Sequence, residues 1–220
     1  MIGSKVRHNK PGLSYTVNFR LKMILFGLVA GLISSIGVST LIVMVEKATS
    51  VPAGAFYLVL ILTVTGTHLY SIYMIIAGLA LHVTAGSIIG VFMVLPLLVR
   101  NGNKRNTSRR ILDKYAPVYG LCFGFALWLV LFLPITYLMI LPALNEIRGS
   151  PMITQQDPTG RVASLVISDV LSMQNRIIIG ALAFNMFYGL VSAIIIDSFY
   201  NRYLVSNNKD STQHVPVHNS

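Results

Sequence analysis

The chain has 220 residues, of which 54% are hydrophobic and 11% charged, and a formal net charge of +10. An ordinary soluble domain carries roughly 25% charged residues, so this composition excludes a soluble surface and predicts an all-α integral membrane bundle. Because the basic residues cluster beside apolar runs, their pattern indicates membrane topology and excludes nucleic acid as the expected partner.

The first predicted elements are a basic arm, residues 1–22, and a charge-free apolar run, residues 23–45, that ends before Glu46. A helix rises about 1.5 Å per residue, so this run is long enough to cross the bilayer. It also exceeds the roughly 7–15 apolar residues of a cleavable signal peptide. We therefore expect a retained first span, with the basic arm in the cytoplasm.

Residues 48–99 contain no charge, and they could cross the membrane once or twice. A turn at 66–68 separates residues 52–66, too short for a span, from a second span at 72–99. Two crossings would place the basic loop 100–115 on the side opposite to the basic arm, against the positive-inside bias. We therefore predict that 52–66 form a short re-entrant or interfacial helix on the outer face, covered by protein.

The third predicted span, residues 116–142, contains Pro134, which removes a backbone donor and can kink the helix. An outer loop at 145–175 follows and carries charges of both signs. Within it, residues 162–173 are expected to form a surface helix.

The fourth predicted span, residues 177–199, leads into a polar tail at 201–220 that we expect to be disordered. After four crossings the tail lies on the same side as the basic arm. Both chain ends are therefore predicted to be cytoplasmic.

Small residues recur at matching positions of the spans, which predicts an internal repeat of two helix pairs. The first and third spans each carry a GxxxG motif, which lets helix backbones approach closely. These motifs are Gly27 with Gly31 and Gly120 with Gly124. The second and fourth spans share a stripe in which Gly78, His82, Gly86 and Gly90 match Ala181, Asn185, Gly189 and Ala193. His82 and Asn185 are then predicted to lie at the same depth.

His82 is the strongest candidate for chemistry, because an ionisable side chain within a span is costly and usually faces the bundle interior. A neutral imidazole can serve there as a proton relay, as a metal ligand, or as a packing group bonded to Asn185 or a hydroxyl. His68, near the outer surface, is either a solvated turn residue or the mouth of a path towards His82. Two histidines make a weak metal site, so neither a metal nor another cofactor is predicted.

Nucleotide-binding fingerprints and paired intramembrane carboxylates are missing from the sequence. Active transport driven by nucleotide hydrolysis is therefore excluded for this chain alone, and no nucleotide partner is expected. Membrane lipid is an expected partner, because the basic loop can bind anionic headgroups, although topology alone also explains its charge. The candidate headgroup residues are Arg100, Lys104, Arg105, Arg109 and Arg110.

The spacing of these residues resembles the YagU-like proteins, a group of small multi-pass membrane proteins of prokaryotes. The likeness rests on Leu-His-x-x-x-Gly-x-x-x-Gly in the second span, Asn-x-x-Tyr-Gly in the fourth, and Gly-x-x-x-Gly followed by tryptophan in the third. The matching residues are His82, Gly86, Gly90, Asn185, Tyr188, Gly189, Gly120, Gly124 and Trp128. The resemblance implies a multi-pass protein of a prokaryotic plasma membrane and brings no established chemistry with it.

Three functions are compatible with this sequence. Abundant helix-packing signal and little catalytic signal favour a non-enzymatic accessory or scaffold subunit, which packs against other membrane subunits or a second copy of itself. One alternative is a small transporter or channel with His82 and Asn185 lining a pathway along the pseudo-two-fold axis. The other is a membrane metal or redox protein that uses His68 and His82.

Overall fold

The computed structural model describes the backbone of residues 13–66, 71–100, 105–149 and 166–212, and the side chains of 19–66, 71–98, 115–146 and 166–202. Within these ranges the regular structure is entirely helical. Four helices are long and apolar enough to cross a membrane, over Phe19–Ala48, Ile72–Leu98, Tyr115–Glu146 and Gln174–Arg202. These helices, called spans one to four below, confirm the predicted crossings and define a multi-pass membrane protein.

The helices follow in chain order as α1 Leu13–Ala48, α2 Ala55–Thr65, α3 Ile72–Arg100, α4 Arg105–Leu127, α5 Leu133–Ile135, α6 Leu141–Gly149, α7 at 166–172 and α8 Gln174–Thr212. Two π-helical turns, Trp128–Phe132 and Thr136–Ile140, join α4, α5 and α6 into span three. With 11 residues, α2 is shorter than the roughly 17 residues that a crossing needs, in agreement with the short helix predicted at 52–66.

The helices extend beyond the predicted spans at both chain ends. α1 begins at Leu13, inside the predicted basic arm, and α8 continues to Thr212, inside the tail predicted to be disordered. Neither extension contains proline or glycine, so neither contains a residue that commonly ends a helix. Residues 201–212 of the predicted tail are thus part of α8, while 213–220 lie outside the described residues.

Spans one and two form an antiparallel pair, and glycine is required where they cross. A Cβ on Gly90 would overlap the carbonyl oxygen of Gly27, and a Cβ on Gly31 would overlap that of Gly86. Gly86 also lies directly beneath the Ser35 hydroxyl, which donates a 2.7 Å hydrogen bond to the Gly31 carbonyl. The two backbones are therefore in direct contact at this crossing, which any larger residue would force apart.

Spans three and four form a second antiparallel pair with the same kind of crossing. A Cβ on Gly189 would overlap the carbonyl oxygen of Gly120, and a Cβ on Gly124 would overlap that of Asn185. Gly189 thus occupies the place that Gly90 has in the first pair, and Asn185 occupies the place of Gly86. The structural equivalent of His82 is therefore Ala181, one helical turn away from Asn185, its predicted counterpart.

The two pairs are joined by α1 and α8, which contact each other between them. The buried hydroxyls of Ser34 and Ser192 form a 2.8 Å hydrogen bond there. Phe26 stacks on Phe199, with ring centroids 4.8 Å apart. Phe26 precedes Ser34 in α1, whereas its partner Phe199 follows Ser192 in α8, so the two helices are antiparallel. The start of span one and the end of span four therefore lie at the same end of the bundle.

The connection between spans two and three lies at that same end. The Tyr119 hydroxyl, from the first third of span three, donates a 2.7 Å hydrogen bond to the carbonyl of Met93, near the end of span two. Arg100 ends α3, whereas Arg105, Arg109 and Arg110 lie in the first turns of α4. The end of α3 and the start of α4 thus lie on the same side of the bundle as the start of α1 and the end of span four.

Span three has an irregular backbone around Pro134. The Leu133 N–H donates to the Trp128 carbonyl, and the Leu141 N–H donates to the Thr136 carbonyl, each with the five-residue spacing of a π turn. Proline lacks a backbone N–H, and wider turns on both sides of it keep neighbouring carbonyls paired. The irregularity expected at Pro134 takes this form.

Candidate functional site

The short helix α2 is held in place by Glu46, near the end of α1. Its carboxylate accepts hydrogen bonds from the backbone N–H groups of Gly54 and Phe56 at 2.7 and 2.8 Å, and the side chain is only 6% exposed. A carboxylate at a helix N-terminus pairs the unsatisfied N–H groups and interacts favourably with the helix dipole. Gly54, the N-cap residue of α2, has no side chain that could cap the helix itself. Glu46 therefore positions α2.

One face of α2 is covered by side chains of α6 and α7. The buried residues of this contact are Ala55, Leu58, Val59 and Leu62 of α2, Leu144 of α6, and Val166 and Ile167 of α7. The surface helix expected at 162–173 is thus a packed helix at 166–172, with 162–165 outside the described residues. Coverage of this kind is what a short helix inside or beside the membrane requires.

Towards the bundle, α2 packs closely on α3. A Cβ on Gly78 would overlap the Tyr57 carbonyl oxygen, so the predicted packing residue Gly78 lies at the contact with α2 and not at the crossing with α1. The His82 ring, one turn further along α3, packs against the rings of Phe56 and Tyr57, with centroid separations of 5.8 and 5.9 Å. His82 is therefore enclosed on one side by two aromatic residues of α2.

Three polar side chains from three helices meet beneath α2: Ser39 of α1, Tyr57 of α2 and His82 of α3. We call them the polar cluster. Ser39 and Tyr57 are 8% and 2% exposed. Their hydroxyl oxygens and His82 Nε2 are all buried, and the two hydroxyls lie close enough to interact with each other. Buried polar atoms are nearly always paired, and His82 Nε2 has no partner among the described residues, which sets this histidine apart.

The phenol of Tyr57 is affected by burial and by two neighbouring side chains. Burial raises the pKa of its phenol, an effect that the Ser39 hydroxyl opposes and the Glu46 carboxylate increases. The phenol therefore stays protonated and can donate as well as accept a hydrogen bond. Serine and neutral histidine can also do both, so the polar cluster offers hydrogen bonds without a formal charge of its own.

The structure separates the two polar residues that the sequence matched. The Asn185 amide donates a 2.8 Å hydrogen bond to the Ala181 carbonyl of its own helix, and its backbone lies at the crossing with Gly124. His82 lies instead in the first helix pair, and its Nε2 has no partner among the described residues. The possible hydrogen bond between this atom and the Asn185 amide is therefore not formed.

His68 and Lys104 lie outside the described residues. In the part of the chain that the structure describes, no group of three or more His, Cys, Asp or Glu side chains could hold a metal ion.

Tyr188 is a structural position that sequence reasoning noted only through a resemblance. Its hydroxyl donates to the Gly86 carbonyl, which connects α8 to the crossing of the first pair. Tyr188 also forms a buried cluster with Val38 and Ile42, against which Phe123 and Leu127 pack. Side chains therefore fill the space between the two helix pairs at this level.

The chain was compared with protein-family models, curated proteins and solved structures, and none of the three comparisons finds a match. Its class therefore follows from the fold alone. It is a multi-pass membrane protein in which two glycine-crossed helix pairs support a short, protein-covered helix above a polar cluster.

Proposed function

We propose that the chain is a non-catalytic accessory or scaffold subunit of a complex in a prokaryotic plasma membrane, and that span three binds a transmembrane helix of another subunit. The observation that supports this proposal is the unequal burial of the four spans. Only 11% of the most apolar part of span three is buried within the chain, against 22%, 28% and 39% for spans two, four and one. Span three is thus the helix with the most surface left to contact a partner.

The chemistry of this surface suits an apolar helix. Its exposed side chains include Phe125, Leu129, Val130, Tyr137 and Leu138. Helices in membranes associate through van der Waals packing and interhelical hydrogen bonds, and aromatic and aliphatic side chains on an irregular backbone provide a surface of defined shape for such packing. The π turns around Pro134 give span three this irregular backbone.

Site-specific photo-crosslinking in the native membrane tests the proposal. A photoreactive amino acid at Val130 or Leu138 is expected to form adducts with another protein, whereas the same group at Ile76, which is also exposed on span two, is expected to label lipid. Lipid adducts alone from all three positions would contradict the proposal. Adducts only with second copies of the chain would replace the accessory role with self-association.

A transporter or channel is the second candidate, and the buried polar cluster favours it. Such a pathway would run beneath α2, because Tyr188 and the Ser34–Ser192 hydrogen bond occupy the space between the helix pairs. Solute flux into proteoliposomes is the measurement that tests this candidate. Equal flux through the wild-type chain and His82→Ala would remove His82 from any pathway.

A further inference from the structure

We propose that one anionic phospholipid binds at the end of the bundle where span one starts and span four ends, with its headgroup on Arg20 and Arg202 and an acyl chain along α1. This inference does not depend on the contact proposed for span three. Neither arginine belongs to the basic loop at 100–115, which the sequence indicated as a headgroup site.

Two packed helices present these arginines. The Phe19 ring of α1 contacts the Tyr200 ring of α8 edge-on, with centroids 6.4 Å apart, and Tyr200 is only 2% exposed. Arg20 and Arg202 follow these residues by one and two positions, and both are exposed. Because a helix rises about 1.5 Å per residue, the two arginines lie within about one helical turn of the same level.

The charge of this surface favours an anion. Among the described side chains at this end, the charged ones are Arg20, Lys22, Asp197 and Arg202, which leaves three positive charges against one negative, or a net charge of +2. The Asp197 carboxylate is partly buried and accepts a 3.2 Å hydrogen bond from the Asn201 amide. A guanidinium group can donate two parallel hydrogen bonds to one phosphate, so two exposed arginines match a phosphate headgroup.

The depth of the two arginines also matches that of a headgroup. Arg20 precedes Met23, where the apolar run of span one begins, by three residues or about 4.5 Å. Arg202 follows Ile196, where the apolar run of span four ends, by six residues or about 9 Å. The headgroup layer on each side of a bilayer is about 5–8 Å thick, and a long arginine side chain reaches across such differences in depth.

An exposed apolar strip of α1 begins beside these charges and leads into the membrane. Its members follow one another at intervals of three or four residues, which places them on one helix face. They are Leu21, Leu25, Leu28 and Leu32, with exposed fractions of 65%, 56%, 40% and 36%. From the first to the last the helix rises about 16 Å, close to the roughly 15 Å of hydrocarbon in one leaflet.

The strip distinguishes a lipid from an acidic protein. An acidic protein surface in the aqueous phase could pair with Arg20 and Arg202, but it would leave the leucine strip uncovered. A phospholipid carries its anionic headgroup and its apolar chain on one molecule, so it contacts the charges and the strip together.

Photo-labelling of the full chain in nanodiscs tests the site. Phosphatidylglycerol and phosphatidylcholine probes with the same photoreactive acyl chain are compared, and adducts are located by peptide mass spectrometry. We expect the phosphatidylglycerol probe to label residues 21–32 more strongly. Each basic residue near a membrane contributes about 1 kcal/mol to the binding of anionic lipid, so this preference should fall about fivefold in Arg20→Gln and in Arg202→Gln.

Two controls separate this site from the role of basic residues in topology. Both leaflets of a nanodisc contain the same lipids, so the orientation of the chain cannot change the labelling. Lys47→Gln removes an exposed positive charge at the other end of the bundle and should leave the preference unchanged. Arg20→Lys keeps the charge and should retain most of the preference.

Equal labelling of 21–32 by the two probes in the wild-type chain would overturn the proposal, as would a preference that persists in both glutamine variants. A photoreactive amino acid at Leu21 gives the complementary test in native membranes, where we expect adducts with phospholipid. Adducts with a protein in place of lipid would replace the lipid with an acidic protein partner.

Discussion

The Ser192 hydroxyl donates a 2.8 Å hydrogen bond to the Ser34 hydroxyl, and both side chains are fully buried between α8 and α1. This bond joins the two helix pairs. Interhelical hydrogen bonds in membrane proteins contribute about 0.6 kcal/mol on average and reach about 1.7 kcal/mol. We therefore expect Ser34→Ala and Ser192→Ala to lower the free energy of unfolding, with a coupling energy of about 1 kcal/mol in a double-mutant cycle.

The matched control for this cycle is Ser87, which is also buried but donates within its own helix, to the Val83 carbonyl at 2.9 Å. A cycle between Ser87→Ala and Ser192→Ala should give no coupling, because the two side chains share no hydrogen bond. Unfolding in mixed micelles measures both cycles. Equal coupling in the two cycles would mean that the Ser34–Ser192 bond is not what joins the pairs.

Glycine at the helix crossings is expected to be irreplaceable, in contrast to glycine elsewhere in the same spans. A Cβ at Gly90 would overlap the Gly27 carbonyl, so Gly90→Ala must push the two backbones apart, at a cost of about 1–3 kcal/mol. Gly189→Ala meets the Gly120 carbonyl and should behave alike. Gly180 has nothing within 4 Å, so Gly180→Ala should stabilise the helix by up to about 1 kcal/mol.

Thermal unfolding of the three alanine variants measures this difference. Tm values that fall for Gly90→Ala and Gly189→Ala but rise for Gly180→Ala would support close backbone contact at both crossings. A Gly90→Ala variant as stable as Gly180→Ala would show that the first crossing is wider than the structure describes.

The spans could be predicted from sequence because bilayer thickness sets the length of an apolar run directly. The register that relates the two helix pairs could not be predicted in this way. Spans two and four both carry a four-residue repeat in which most side chains are small. Two alignments of these spans that differ by one helical turn therefore match almost equally well. Only backbone contacts, with Gly90 against Gly27 and Gly189 against Gly120, distinguish the two alignments.

The candidate site was predictable only in part, for a similar physical reason. His82 is conspicuous because it is an ionisable residue in an apolar run. Ser39 and Tyr57 are neutral and common in membrane helices, so their convergence on His82 depends on how α2 packs. The position of α2 depends in turn on Glu46, eight residues before Gly54, and a cap across that distance has no local sequence signature.

Loss of the Glu46 carboxylate should release α2. Glu46→Ala leaves the N–H groups of Gly54 and Phe56 without their acceptor, and removal of a helix cap costs about 0.5–2 kcal/mol. Glu46→Gln keeps one acceptor oxygen and should cost less. Hydrogen–deuterium exchange measures this effect. In Glu46→Ala we expect the amides of α2 to exchange faster than in the wild-type chain, and the amides of α3 to be less affected.

Lys47→Ala is the control for this experiment, because Lys47 is adjacent to Glu46 and exposed. It should leave exchange in α2 unchanged. Exchange in α2 that is equally slow in Glu46→Ala and in the wild-type chain would show that packing against α6 and α7 holds the helix without its cap.

The arrangement of the spans predicts which residues share a side of the membrane. Arg20 of span one and Arg202 of span four are exposed at one end of the bundle, whereas Lys47 and Tyr73 are exposed at the other end, on either side of α2. Single cysteines at these positions, in a Cys122→Ser background, can be labelled with an impermeant maleimide in sealed vesicles of known orientation. We expect positions 20 and 202 to react from the cytoplasmic side, as the positive-inside bias requires, and positions 47 and 73 to react only from the outer side. Reaction of 47 and 73 from opposite sides would mean that α2 crosses the membrane, and the total number of crossings would then be odd.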